Sequence, residues 1–117
     1  MQIRFVAPAT QDRSRHEAWA DHARRRLQLR LKSLGDRVAH VTVRFGDTAG
    51  RQPGRDRCCV MQVQLRGAPA ASVVDLGADA YATIDRAVDR IARLVQVQLH
   101  AVRRTPAPPG DAVARAA

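Results

Sequence analysis

Apolar and polar positions along this chain fall into four stretches of period two and two of helical period. Gln2 to Ala7 alternates, with Ile3 and Phe5 on one side and Gln2 and Arg4 on the other, which predicts a short half-buried strand closed by Pro8. From about Ser14 to Leu34 the apolar residues Ala20, Ala23, Leu27, Leu31 and Leu34 recur at three- and four-residue spacing, the mark of an amphipathic helix. Ser14 with Glu17 three residues on reads as a capping box, and Gly35 as a stop. Val38 to Phe45 alternates again, with Val41, Val43 and Phe45 sharing a face opposite His40, Thr42 and Arg44. The stretch 46–57, GDTAGRQPGRDR, predicts a loop. Cys58 to Arg66 predicts a third strand, Gly67 to Ala70 a turn, and Ala71 to Leu76 a fourth strand. A second helix is expected from about Asp79 to Arg103, stopped by TPAPPG at 105–110. In it Tyr81, Ile84, Val88, Ile91 and Val95 form an apolar stripe, while Arg86, Arg90 and Arg93 recur on another face.

No internal repeat is present. The order β-α-β-β-β-α, with strands two to four in a meander and one apolar stripe per helix, predicts an α+β fold. Its simplest form is a two-layer sandwich, a four-stranded sheet with two helices packed on one face and the other face polar and solvated. A chain of 117 residues suits a single domain, expected over 1–104, with 105–117 a disordered Pro/Ala-rich tail.

Charge changes this picture most. Lys and Arg number 20 against 11 Asp and Glu, a net charge of +9, and Lys32 is the only lysine. Such a balance favours polyanionic partners, and arginine makes planar bidentate contacts to phosphate. The first helix and its flanks hold most of the excess: Arg24, Arg25, Arg26, Arg30, Lys32 and Arg37. At about 100° per residue, Arg26 and Arg30 fall on one shoulder of the apolar stripe and Arg24 on the other, while Arg25 and Lys32 point away from it. With the helices side by side, one shoulder could converge with Arg86, Arg90 and Arg93 across a groove. Nucleic-acid binding, a salt-bridged surface using Asp21, Asp85 and Asp89, and membrane association are the three readings of this pattern. Aromatic residues are scarce (Trp19, Tyr81, Phe5, Phe45), and no platform for stacking single-stranded bases is visible, which favours phosphate contacts and recognition of folded RNA shape.

Other chemistry is thin. His16, His22, His40 and His100 have no metal-ligand spacing with one another or with the cysteines. The glycine-bearing stretch GDTAGRQPG lacks the Lys-Ser/Thr ending of a phosphate loop. Cys58 and Cys59 are adjacent, so on a strand they point to opposite faces and a disulfide between them would be strained. Arg55 and Arg57 could lower the Cys58 thiol pKa, a weak nucleophile hint without an obvious base. The expectation is a non-enzymatic protein without metal or cofactor. MQIRFVAP is too short for a signal peptide and no apolar run approaches a membrane span, so a reduced cytoplasmic compartment is expected.

The element order, the opening MQI, the strand-loop-strand around Val41 to Leu65 and above all the run DAYATIDRAVDRIAR from Asp79 resemble the ribosome hibernation-promoting factors and ribosome-associated inhibitors in their short form. Those proteins carry an aspartate–x–tyrosine–x–x–isoleucine–aspartate start to the last helix, matched by Asp79, Tyr81, Ile84 and Asp85. The resemblance spans roughly residues 1–104 and implies a translation inhibitor that binds small-subunit rRNA in the mRNA/tRNA channel through basic residues of both helices. Arg90 and Arg93 match basic positions of the family's last helix. The expected RNA-binding set is Arg24, Arg25, Arg26, Arg30, Lys32, Arg86, Arg90, Arg93, Arg103 and Arg104, with the small ribosomal subunit as partner and no membrane or small-molecule substrate. The chain departs from the family after Arg93, where Val97, Leu99 and Ala101 stand in place of lysines. The competing reading is a protein-interaction module, in which an apolar strip of Val97, Leu99 and Val102 supports a weak homodimer.

Overall fold

The computed structural model describes residues 1–6, 13–47 and 57–104, the side chains of residues 13, 47, 103 and 104 excepted. The chain runs β1 (Gln2–Val6), α1 (Arg13–Leu31), a 3-10 segment (Lys32–Arg37), β2 (Val38–Asp47), β3 (Arg57–Leu65), β4 (Ala71–Gly77) and α2 (Ala80–Arg104). This is the expected β-α-β-β-β-α order. The strands lie β1-β2-β3-β4 in one sheet. β1 runs parallel to β2, as it must when a whole helix crosses over between them, and β2, β3 and β4 form the antiparallel meander.

Register sorts the side chains into two faces. Phe5, Val43, Met61 and Val73 stand in one row across the sheet, Ile3, Val41, Val63 and Ala71 in another, and Phe45, Cys59 and Asp75 in a third. Both helices cover these rows. α1 inserts Ala23, Leu27 and Leu31, and α2 inserts Ile84, Ala87, Val88, Ile91, Val95 and Leu99. Burying a leucine- or isoleucine-sized side chain contributes about 1.5–3 kcal/mol, so the two stripes hold the layers together. At one end Phe45 stacks with Phe5 at 6.0 Å and meets the edge of Trp19 at 5.9 Å.

α1 does not stop cleanly at Gly35. It ends at Leu31 and tightens into the 3-10 segment, where Gly35 takes φ +50°, a conformation that strains residues bearing a Cβ. Arg66 ties that turn to the end of β3, its N–H donating to Arg37 O at 2.9 Å and its Nη1 to Asp36 O at 2.6 Å. The start of α1 at Arg13 places Ser14 inside the first turn.

Two expectations are corrected here. Tyr81, expected in the core stripe of α2, is 42% exposed, its ring turned to the edge of His22 on α1 while Thr83 and Ile84 of the same turn are buried. The open sheet face is not uniformly polar. Gln2, Arg4, His40, Thr42, Gln62, Gln64 and Ser72 line one half, but Val6, Val60, Val74 and Leu76 share the other with Arg44 and Cys58. β2 and β3 reach to Asp47 and Arg57, further into the expected loop than alternation suggested, and residues 48–56 of that loop lie outside the described residues. So does the expected tail, 105–117.

Candidate nucleic-acid interface

The two helices pack side by side, and inward burial of their stripes fixes which polar residues meet at the seam. α1 turns the Arg26/Arg30 shoulder toward α2, and the Arg24 shoulder toward β1, where the guanidinium lies 5.0 Å from the Phe5 ring centroid. What α2 presents in return is acidic. His22 Nε2 lies 2.8 Å from Asp85 Oδ1, Arg26 Nε 3.3 Å from the same oxygen, and Arg30 Nη1 bonds Asp89 Oδ1. The expected convergence of Arg26 and Arg30 with Arg86, Arg90 and Arg93 therefore does not form. Asp85 and Asp89 sit about 100° of helix rotation before Arg86 and Arg90, and once the apolar stripe faces the sheet, the carboxylates take the seam and the arginines the opposite flank. These pairs are partly exposed, so each contributes at most about 1 kcal/mol.

On that opposite flank Arg86 and Arg90 reach over the outer edge of β4. Asp75 lies on the inward-facing parity of that strand and is only 8% exposed, so its carboxylate needs partners. Arg86 Nε approaches Asp75 Oδ1 at 3.3 Å, and Arg90 Nη1 donates to Oδ2 at 3.1 Å. The same guanidiniums donate to edge carbonyls, Arg86 Nη2 to Leu76 O at 2.8 Å and Arg90 Nη1 to Val74 O at 2.9 Å. Both arginine side chains stay 50% exposed. Asp75 thus holds two guanidiniums at fixed positions, half open to solvent, while they cover backbone acceptors that would otherwise invite another strand. Sequence reading missed Asp75. The signal was present: an acid at an inward position of a strand, followed by arginines four apart on the next helix.

Gly77 and Asp79 set the start of α2. A Cβ at Gly77 would collide with Thr83 Oγ1 and Arg86 Nη2. Thr83, 1% exposed, donates its hydroxyl to Asp79 O at 2.7 Å, and the Asp79 carboxylate accepts the Ala82 N–H at 3.2 Å. That carboxylate caps the helix in the usual way.

The remaining expected contacts sort by what they touch. Arg25 pairs with Asp21 at 2.6 Å in solvent. Lys32 and Arg93 are exposed and have no carboxylate partner among the described residues, Arg93 Nε only turning back to Asp89 O at 3.4 Å. Arg103 and Arg104 end α2, and their side chains lie outside the described residues. Among the described residues of the helix layer, Lys32 and Arg93 are therefore the exposed cations without a carboxylate partner on its outer side, while Arg25, Arg26, Arg30, Arg86 and Arg90 are held in ion pairs.

The apolar strip expected near the end of α2 is divided by the packing. Leu99 is 5% exposed and belongs to the core, while Val97 is 62% exposed. Against the thiol hint at Cys58, burial raises its pKa, and the Arg57 guanidinium sits over the Trp19 ring, 5.2 Å from its centroid; Arg55 lies outside the described residues. Cys59, in the core, is pushed up to about 12 by burial and by the neighbouring Cys58 and Asp75. Among the described residues no cluster of three metal-ligating side chains occurs, and no helix is long and apolar enough to cross a membrane.

A β-α-β-β-β-α sandwich with one covered sheet face and an arginine-rich helix layer is the class of protein that this fold and surface define. Solved structures share that architecture. The N-terminal domain of Thermus thermophilus Protein Y superimposes with a TM-score of 0.55 at 24% identity, over 80% of this chain and 91% of that one. A ribosomal subunit interface protein from Coxiella burnetii gives a TM-score of 0.57 at 14% identity, over 81% and 91%. At these identities the likeness is one of fold. No family model and no curated protein matches the chain.

Proposed function

We propose that this protein is a ribosome-associated translation inhibitor that binds small-subunit rRNA in the mRNA/tRNA channel through the helix layer. The observation that carries the reading is the cationic outer face. Lys32 projects from the 3-10 turn after α1 and Arg93 from α2, with Arg25 beside them paired to Asp21, all on elements that the core holds in place and on a chain with a net charge of +9. The same architecture occurs in a ribosomal subunit interface protein from Coxiella burnetii, a likeness of fold that supports rRNA as the polyanion. Exposed cationic side chains on the helix layer favour contacts to phosphates and to RNA shape.

The test is co-sedimentation of the full chain with purified small subunits across a salt series. Binding should fall steeply with salt, and each Arg→Glu or Lys→Glu change at Lys32 or Arg93 should flatten the logarithmic slope by about 1. Binding that ignores both salt and these substitutions refutes phosphate contact by this face.

A further inference from the structure

Beside the first turn of α2 lies a cleft of about 330 Å³ that the rRNA reading does not use. Its walls come from three elements: Arg15 and Trp19 of α1, Arg57 at the start of β3, and Asp79 and Tyr81 at the start of α2. Tyr81 is the unusual member. An aromatic ring in an apolar stripe gains most by burial, yet this one stays 42% exposed. Nor is it loose, since the His22 ring meets it edge-on at 5.1 Å and His22 is itself held by Asp85 at 2.8 Å. Two cations flank it. Arg15 is exposed and Arg57 is steadied over the Trp19 ring, and neither has a carboxylate partner among the described residues. Asp79 spends one acceptor position on the Ala82 N–H and keeps others.

An open aromatic ring held by His22, two guanidiniums without a carboxylate partner among the described residues, and one carboxylate together match the parts of a nucleotide. The base stacks on Tyr81, the phosphate meets Arg15 and Arg57, and a base amino or imino N–H donates to Asp79. The volume lies at the low end of small-molecule sites, about 300–1,000 Å³, and the cleft is shallow and open to solvent, with room for one nucleotide laid across it. We infer that this cleft binds a single nucleotide unit whose base carries hydrogen-bond donors, guanine above all, either as a free mononucleotide or as a base turned out of an RNA strand. Sequence reading found no stacking platform because its parts are scattered from residue 15 to residue 81 and Tyr81 has the periodicity of a core residue. The site stands apart from the outer helix face, so it holds even if that face binds no ribosome.

Trp19, the only tryptophan, lies in the cleft wall and reports occupancy by its fluorescence. The full chain is titrated with GMP, UMP, ribose 5-phosphate and a short single-stranded guanine-rich RNA. GMP should give a saturable change and bind more tightly than UMP, with ribose 5-phosphate weakest. Tyr81→Ala should weaken GMP roughly 5- to 150-fold, the range for loss of one stacked base, while Tyr81→Phe retains binding. Thermal melts of both variants show that they fold. Saturation by GMP assigns the site to free nucleotides, and saturation by the RNA alone, lost in Tyr81→Ala, assigns it to a turned-out base. Both support the inference. Absence of binding by either, equal binding of ribose 5-phosphate and GMP, or indifference to Tyr81→Ala in a folded variant overturns it.

Discussion

Asp75→Asn isolates the cluster that anchors Arg86 and Arg90. The substitution keeps the side-chain volume and one acceptor but removes the charge from a group whose side chain is 10% exposed. The two contacts it breaks or weakens, at 3.1 and 3.3 Å, lie at or beyond the long end of N–H···O bonding. Bonds to charged groups contribute about 1.5–3 kcal/mol each under favourable geometry, and half-exposed guanidiniums with long contacts earn the lower part of that range. Against this stands the desolvation cost of the carboxylate, which asparagine removes. The guanidiniums also keep their bonds to Leu76 O and Val74 O. The net loss is therefore about 1–2 kcal/mol, well short of the roughly 3–5 kcal/mol of a broken fully buried pair. Urea unfolding of wild type, Asp75→Asn, Arg90→Gln and the double variant forms a cycle whose coupling should be about 1 kcal/mol. A midpoint shift of about 0.5–1 M for Asp75→Asn alone follows from ordinary denaturant slopes. A coupling under about 0.3 kcal/mol would show that Asp75 and Arg90 do not sense each other, and the anchored pair of guanidiniums would have to be abandoned.

Other outcomes follow from single positions. Gly77→Ala should destabilise by about 1–3 kcal/mol, because the new methyl meets Thr83 Oγ1 and Arg86 Nη2; an unchanged urea midpoint would mean that the start of α2 shifts freely. Stability should also fall at alkaline pH through Cys59. Its folded pKa, about 12, lies above its ordinary value of 9.0, so the folded chain holds the proton longer and unfolding releases it between those values. The contribution is whole below pH 9.0 and is lost as pH rises toward 12, with a slope reaching about 1.4 kcal/mol per pH unit. Comparing wild type with Cys59→Val in urea at several pH values isolates that slope, and parallel curves would contradict a neutral buried thiol.

Much of the fold was legible because burial imposes simple periods. Alternation in β2 and β3 and the three-four spacing in α2 could be satisfied only by one covered sheet face, and Ile84, Val88, Ile91 and Val95 lie where the spacing put them. The failures have a shared cause. Tyr81 and Leu99 both fit an apolar-strip pattern, but Tyr81 turns to His22 and stays open while Leu99 is covered by the core, and periodicity does not report which members of a stripe the neighbouring elements cover. The loss of the Arg26/Arg30 to Arg86/Arg90 groove is a matter of rotation. One-dimensional spacing placed Asp85 and Arg86 side by side, and only the packed orientation separated them by element contacted.

By itself the sequence determined the element order, the two-layer α+β class, the excess of arginine and the placement of Arg25, Lys32 and Arg93 away from the apolar stripes. Each of these follows from local spacing or composition. The tertiary structure alone decided which charges remain open to a partner. Asp85 and Asp89 close the helix seam, and Asp75, from a different strand, holds Arg86 and Arg90. It also gathered Arg15, Trp19, Arg57, Asp79 and Tyr81 around one cleft. Ion pairing and cleft formation depend on distances of a few ångströms between residues far apart in the chain, and those distances exist only once the core has packed.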